Sequence, residues 1–189
     1  MNHGWGSQTA SPPVVLPAWL RKACWLLTLC TGGLPAHAAA DVLLEPQQFV
    51  AEQFGGTPPK PEAIWLTGAL GEQVSEILGH RPPQLRLRYW REDDRSVWVM
   101  NEIGKEKPIT VGVSINEQRI DQLRVLIYRE SRGWEVKFPF FTDQFHSAQL
   151  NGGSELDRSI DGISGATLSV HALTKLARIA LLLDQHIRP

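Results

Sequence analysis

The sequence has little cysteine and no hydrophobic run of membrane-spanning length. Its 189 residues include two cysteines, Cys24 and Cys30, and both precede a predicted cleavage site after Ala38. A chain cleaved there has no cysteine, which excludes disulfides, thiolate-held iron–sulfur clusters and the Cys-x-x-Cys-His attachment of haem. The apolar segment from Ala23 to Leu34 is shorter than the roughly 20 residues that cross a bilayer. The sequence therefore predicts a cleaved secretory signal peptide over residues 1–38.

An excess of charge of either sign is also lacking. The chain has 19 Lys and Arg against 20 Asp and Glu. Loss of residues 1–38 removes Arg21 and Lys22 but no acidic residue, so the net charge becomes −3. No basic stripe runs along the remaining sequence, and nucleic acid is therefore not expected as a partner.

The spacings that mark metal sites and catalytic centres are missing as well. The histidines after residue 38 are His80, His146, His171 and His186. No two of them have the His-x-x-x-His spacing that places two ligands on one helix face, so no metal site is expected. Neither a Gly-x-Ser-x-Gly motif nor a Walker loop is present, and no catalytic residue is predicted.

What the sequence does have is a run of strand patterns in its middle. Apolar and polar residues alternate in four neighbouring segments, which predict strands over 85–90, 96–102, 108–115 and 120–128. The segment 39–78 before them is predicted to be helical, and residues 79–189 are predicted to form the main domain. We therefore expect a single α+β domain, in which a twisted, mostly antiparallel sheet has flanking helices.

Three helices are predicted from apolar spacing and end signals. The first opens near Pro46, the second ends at Gly79, and the last runs from Leu168 to about Gln185. The spacing within the last helix predicts five buried residues, which are Leu168, Ala172, Leu176, Ile179 and Leu183.

The most informative segment is Asp161-Gly162-Ile163-Ser164-Gly165-Ala166-Thr167-Leu168-Ser169. Gly162 and Gly165 predict a sharp turn, after which Thr167 is predicted to lie at the start of the last helix. The first turn of a helix has unpaired N–H groups and the positive end of the helix dipole, and both favour a bound phosphate. The alternative is an ordinary helix start, with Ser164 or Thr167 as the capping residue and nothing attached.

This segment resembles the flavinylation motif of the FMN-binding domain family, Asp-x-x-Ser/Thr-Gly-Ala-Thr-x-Ser. Known members are FMN-bearing periplasmic subunits of the Na+-translocating NADH:quinone reductase and of Rnf complexes. In that family the last threonine of the motif carries FMN through a phosphoester bond. The resemblance implies that Thr167 is the acceptor and that residues 79–189 are the FMN-binding domain. It also implies a recognition frame for a separate FAD-dependent flavin transferase, made of Asp161, Ser164, Gly165 and Ala166.

Residues outside this frame are candidates for further cofactor contacts. Ser169 is predicted either to bond the phosphate or to bond back into its own helix. Trp134, Phe140 and Phe141 are the nearest aromatic residues before the motif, and we expect one of them, with Trp134 the first candidate, to lie against the flavin ring. The alternative is that all three are core or loop-anchoring residues.

The resemblance and the signal together imply an extracytoplasmic flavoprotein. It would carry electrons between an integral-membrane redox protein and an acceptor, and would be located in the periplasm. Association with the inner membrane stays open, because the relatives keep an N-terminal membrane helix. One alternative is a non-redox binding module that presents the aromatic segment 138–145 to a partner. Another is a reductase that acts directly on a small substrate.

Overall fold

The computed structural model describes residues 40–188, so the predicted signal peptide and both cysteines lie outside the described residues. The strands are β1 (Asp41–Val42), β2 (Glu62–Trp65), β3 (Arg86–Glu92), β4 (Arg95–Ile103), β5 (Pro108–Asn116) and β6 (Arg119–Tyr128). The helices are α1 (Pro46–Gln53), α2 (Gly68–Leu78), α3 (Pro139–Thr142) and α4 (Thr167–Ile187). Short 3-10 helices at Trp134–Lys137 and Asp143–Phe145 flank α3.

All six strands form one open sheet in the order β1-β6-β5-β4-β3-β2, and every neighbouring pair is antiparallel. The long central hairpins follow from alternating apolar residues and tight turns. In the β5–β6 turn, Glu117 and Gln118 both have positive φ, as a two-residue hairpin turn requires. The predicted single α+β domain with a mostly antiparallel sheet is therefore confirmed.

Alternation along β4 divides the core between the two faces of the sheet. Trp98 and Met100 belong to the larger core on the side of α2 and α4, whereas Val97 packs on the opposite side with Phe49 of α1. Gly112 of β5 lies under α1, and a Cβ at this position would come within 2.5 Å of the Phe49 ring. The sheet is thus a central layer with helices on both faces.

Helix α4 is fixed at its C-terminal end by a buried polar network. Asp184 is 1% exposed and accepts hydrogen bonds from Ser96 Oγ at 2.6 Å and from Arg188 Nε at 2.8 Å. Trp98 Nε1 donates to the same Ser96 hydroxyl at 2.9 Å. Because buried polar groups are costly unless bonded, this network sets the position of the helix along the sheet.

The four central strands and the three helices agree with the sequence prediction. Gly79 has a φ of 78° after the last residue of α2, as its predicted role as helix end requires. The segment 39–78, predicted as helical, contains the strands β1 and β2 in addition to its two helices. β2 forms because it pairs with β3 in a register that sets Ile64 opposite Leu87, which is a contact between distant segments.

The burial prediction for α4 is correct for four of the five residues, which are Ala172, Leu176, Ile179 and Leu183. It is wrong for Leu168, which is 50% exposed. Leu168 lies in the first turn of α4, where the helix side faces a surface cavity rather than the sheet. No helix among residues 40–188 is both long enough and apolar enough to span a bilayer.

Candidate functional site

The segment before α4 makes one tight turn and then enters the helix. Ala166 N donates to Ile163 O at 3.0 Å, and Gly165 has a φ of 82° between them. A residue with a side chain is strained in this left-handed conformation, so glycine suits the position. The turn lies at Ser164 and Gly165, and the predicted participation of Gly162 in it is wrong.

Helix α4 begins without a side-chain cap. Ala166 occupies the N-cap position, and no side chain of the described residues bonds the free N–H groups there. The structure therefore differs from the alternative of an ordinary helix start capped by Ser164 or Thr167. Thr167 is the first residue of this 21-residue helix and is exposed. An exposed hydroxyl thus lies beside backbone N–H groups that favour an anion.

A cavity of about 500 Å³ opens beside this helix start. Three segments line it: the β4–β5 turn, the residues after β6, and the first turn of α4. The lining residues are Lys105, Glu106, Glu130, Ser131, Arg132, Gly165, Ala166, Thr167, Leu168 and Ser169. Its volume lies within the range of ligand pockets, which is roughly 300–1,000 Å³.

Thr167 also borders a second cavity of about 300 Å³, together with His171 and Arg158. His171 lies one turn after Thr167 and is exposed. The Arg158 guanidinium already donates to the backbone oxygens of His146 and Ser147, each at 3.1 Å. Thr167 therefore borders two cavities.

Charges of both signs surround the larger cavity. Lys105 and Arg132 bring positive charge to its wall, and Glu106 and Glu130 bring negative charge. Burial tends to raise the pKa of Glu130, but hydrogen bonds from three backbone N–H groups outweigh it and lower the pKa below 4.5. The Glu130 carboxyl group is therefore ionised at neutral pH.

Ser169 is buried behind the helix start rather than facing solvent. It is 4% exposed, and its Oγ lies 3.3 Å from the hydroxyl of Tyr128, the last residue of β6. The Tyr128 hydroxyl donates to Arg132 O at 2.5 Å, and burial raises the pKa of Tyr128. These bonds tie the segment after β6 to the first turn of α4.

Gly133, in the segment after β6, also packs closely on the first turn of α4. It has a φ of 75°, and a Cβ there would lie 3.1 Å from Ser169 Oγ and 3.2 Å from Ala166 Cβ. Both features favour glycine, the first because of backbone strain and the second because of tight space. The floor of the cavity is therefore built from segments far apart in sequence.

The predicted aromatic residues divide into exposed and buried ones. Trp134 packs edge-to-face on Phe138 at 5.3 Å, and Phe138 stacks on Phe140 at 6.3 Å. These three, called the aromatic surface below, are 49%, 38% and 65% exposed, whereas Phe141 is fully buried in the core. Among the described residues that line the larger cavity, none belongs to the aromatic surface. Trp134 follows Gly133 directly, so the aromatic surface begins next to the site.

The remaining predicted residues occupy the approach to α4. Asp161 is exposed, and its backbone N donates to Gln144 Oε1 at 2.7 Å. Ser164 is exposed in the turn itself. Lys137, which lies between Trp134 and Phe138, pairs with Asp41 at 2.5 Å. Asp161, Ser164 and Gly165 of the frame are thus exposed before Thr167, whereas Ala166 is buried.

Sequence reasoning did not find Lys105, Glu106, Tyr128 and Gly133 as parts of the site. They come from the β4–β5 turn, the end of β6 and the segment after it, which lie about 34 to 62 residues before Thr167 in the sequence. A glycine in each segment, Gly104 and Gly133, was the available signal, since both lie where a Cβ would clash. The pairing of these segments with α4 requires the three-dimensional fold.

Comparison with known protein families explains this arrangement. Residues 104–182 match the FMN-binding domain family, a segment that begins at the β4–β5 turn and ends within α4. Residues 104–182 are thus a domain of the FMN-binding domain family. The match includes every segment that lines the larger cavity. Searches of curated proteins and of solved structures found no match. The match supports FMN as the cofactor and a flavoprotein as the class of protein.

The residues present fit FMN in chemistry and size. The phosphate group suits the uncapped start of α4, whose free N–H groups are donors for an anion. A flavin ring requires an apolar surface with a few polar groups, and the larger cavity offers Leu168 and Ala166 beside Lys105 and Arg132. A bound flavin would supply reversible transfer of one or two electrons.

Proposed function

We propose that the protein is an extracytoplasmic electron carrier in which FMN is joined to the Thr167 hydroxyl by a phosphoester bond. The observation that carries this proposal is the position of Thr167. Thr167 is exposed at the uncapped start of a 21-residue helix and borders two cavities. The match to the FMN-binding domain family supplies the cofactor.

The residues around Thr167 have distinct parts in this proposal. Thr167 Oγ1 provides the ester oxygen and gives up its proton, while a separate flavin transferase provides FMN from FAD and releases AMP. The free N–H groups of the first helical turn hold the phosphate oxygens. The loop from Asp161 to Ala166 is the segment that the transferase recognises, and its residues before Ala166 are mostly exposed in the structure.

A carrier suits the site better than an enzyme with its own substrate. The walls of the cavity hold charged and small residues, and the Glu130 carboxylate among them already accepts three backbone hydrogen bonds, which makes it a poor general base. A covalent link keeps the cofactor from being lost in a compartment that has no FMN supply. Together with the predicted signal over residues 1–38, this favours a periplasmic location.

The aromatic surface favours an exchange of electrons with another protein. Its three aromatic residues are exposed. The first of them, Trp134, directly follows Gly133, which packs on the start of α4. Exposed aromatic residues are enriched in protein interfaces. We propose an integral-membrane electron-transfer protein as the donor, which docks near this surface and places its own cofactor close to the flavin.

Production with and without a flavin transferase tests the proposal. The periplasmic protein from cells that contain the transferase should fluoresce as a flavin band on a denaturing gel, and Thr167→Val should abolish the band. Thr174→Val is the matched control, because Thr174 lies on the same helix and donates only to Val170 O at 2.9 Å. A fluorescent Thr167→Val protein, or a dark wild type, would overturn the covalent link. Turnover of a small substrate without a protein partner would instead favour a reductase.

A further inference from the structure

The β4–β5 turn is held by one carboxylate from a distant segment. Glu130 follows β6, and its Oε1 accepts hydrogen bonds from the backbone N–H groups of Lys105 at 2.5 Å, Glu106 at 2.7 Å and Lys107 at 2.9 Å. Three successive N–H groups that converge on one point form a backbone nest, which favours an anion. Bonds from backbone N–H groups to an ionised carboxylate are stronger than neutral ones.

The turn has little other support. The side chains of Lys105, Glu106 and Lys107 are all exposed and contribute nothing to the core. Gly104 N donates to Lys107 O at 3.1 Å, which closes the turn on itself. A Cβ at Gly104 would lie 2.9 Å from Glu130 Oε1, so the carboxylate is packed directly against the backbone of the turn. The turn is thus stabilised mainly by the Glu130 carboxylate, and not by buried side chains of its own.

The same turn is a wall of the larger cavity. Lys105 and Glu106 line it on one side, and Thr167 and Leu168 line it on the other. The first turn of α4 is fixed by the helix and by the Tyr128 and Gly133 contacts, whereas the wall opposite depends on Glu130. The Glu130 carboxylate therefore sets the position, relative to the helix start, of the Lys105 backbone, from which the exposed Lys105 side chain extends.

We propose that Glu130 is a positioning residue, which holds the 104–107 turn as a preformed wall against the flavin and fixes Lys105 beside it. This inference rests on the proposed attachment of flavin at Thr167. Glu130 acts through the turn and takes no part in bond formation. The wall exists before the flavin arrives, because its hydrogen bonds are all within the protein.

Hydrogen exchange of the flavin-free full chain, produced without the transferase, tests the wall alone. In Glu130→Ala, the amides of Lys105, Glu106 and Lys107 should exchange about tenfold or more faster, the loss expected for a charge-assisted hydrogen bond. Glu106→Ala is the matched control, because it removes an exposed carboxylate of the same turn that accepts none of these bonds. Unchanged exchange in Glu130→Ala would overturn the proposal. Unchanged protection of the β5 amides shows that the fold is intact.

The flavin midpoint potential of the loaded protein then tests whether the 104–107 turn affects the cofactor. Glu130→Gln and Glu130→Ala remove the same charge, but glutamine keeps an acceptor oxygen for the nest. The flavin midpoint potential of Glu130→Ala should therefore be more negative than that of Glu130→Gln, because Lys105 is no longer fixed near the charge that reduction adds. Equal potentials, with faster exchange in the alanine variant, would limit Glu130 to a structural role and overturn the proposal.

The two measurements separate this inference from the proposed function. A wild-type protein that takes up no flavin in the presence of the transferase would overturn the covalent link, and with it the role of the wall toward flavin. The exchange data would still decide whether Glu130 holds the turn. Faster exchange in Glu130→Ala together with a loaded wild type and a difference in potential between the two variants is the expected result.

Discussion

Substitution of Gly133 by alanine tests how the floor of the site is built. Gly133 has a φ of 75°, and a Cβ there would meet Ser169 Oγ at 3.1 Å and Ala166 Cβ at 3.2 Å. The variant therefore suffers two separate penalties. One is the left-handed backbone conformation, and the other is crowding against the first turn of α4.

Gly79 provides a control that has only the first penalty. Its φ is 78°, and nothing lies within 4 Å of a Cβ built there. A left-handed residue other than glycine costs about 1–2 kcal/mol, so Gly79→Ala should lower the free energy of unfolding by about that amount. Overpacking adds roughly 1–3 kcal/mol, so Gly133→Ala should lose about 2–5 kcal/mol in total.

Urea unfolding of the flavin-free variants, followed by circular dichroism, measures both losses. The two transitions should have the same dependence on urea as the wild type, which shows that the midpoints can be compared. Equal losses in Gly79→Ala and Gly133→Ala would refute the close packing of Gly133 on the start of α4. Flavin loading should also fall in Gly133→Ala but not in Gly79→Ala, since only Gly133 touches the site.

Three further expectations concern single contacts. Tyr128→Phe removes the hydroxyl that joins the end of β6 to α4, so unfolding free energy should fall by about 1–3 kcal/mol in urea titrations. Leu168→Gln should change stability by less than about 0.5 kcal/mol because Leu168 is half exposed, whereas Leu173→Ala, fully buried, should cost about 2–5 kcal/mol. A backbone carbonyl and the Glu102 carboxylate raise the pKa of His80 above 6.5, so its stabilisation is complete below pH 6.5 and is lost as pH rises through the folded pKa. The urea midpoint of wild type relative to His80→Gln should therefore fall over that pH range, and a constant difference would contradict the contact.

The strands and helices that local patterns determine were predictable. Apolar residues alternate with other residues along β5 and β6, and they recur every three or four residues along α4. These repeats arise because each element packs against the core, so the repeat in the sequence is enough to identify the element. The short strands β1 and β2 were not predictable, because two to four residues become a strand only by pairing with β6 or β3. The residues of such a short strand do not identify the strand with which it pairs.

The candidate site divides in the same way. Thr167 and its frame lie in one continuous segment, so a motif could point to them. The opposite wall could not be found, because Lys105 and Glu130 reach the helix start only through the register of two hairpins. The exposure of Leu168 was not predicted. Helical spacing shows which residues share a face, but it does not show which part of that face lies beyond the sheet.

The most direct test of the central claim is peptide mapping of the protein from its native host. Trypsin releases the segment from Ser159 to Lys175, which includes Ser164, Thr167 and Thr174. Fragmentation should place the mass of FMN less one water on Thr167. The same mass on another residue of this peptide, or an unmodified peptide, would contradict the proposed attachment and the carrier function that depends on it.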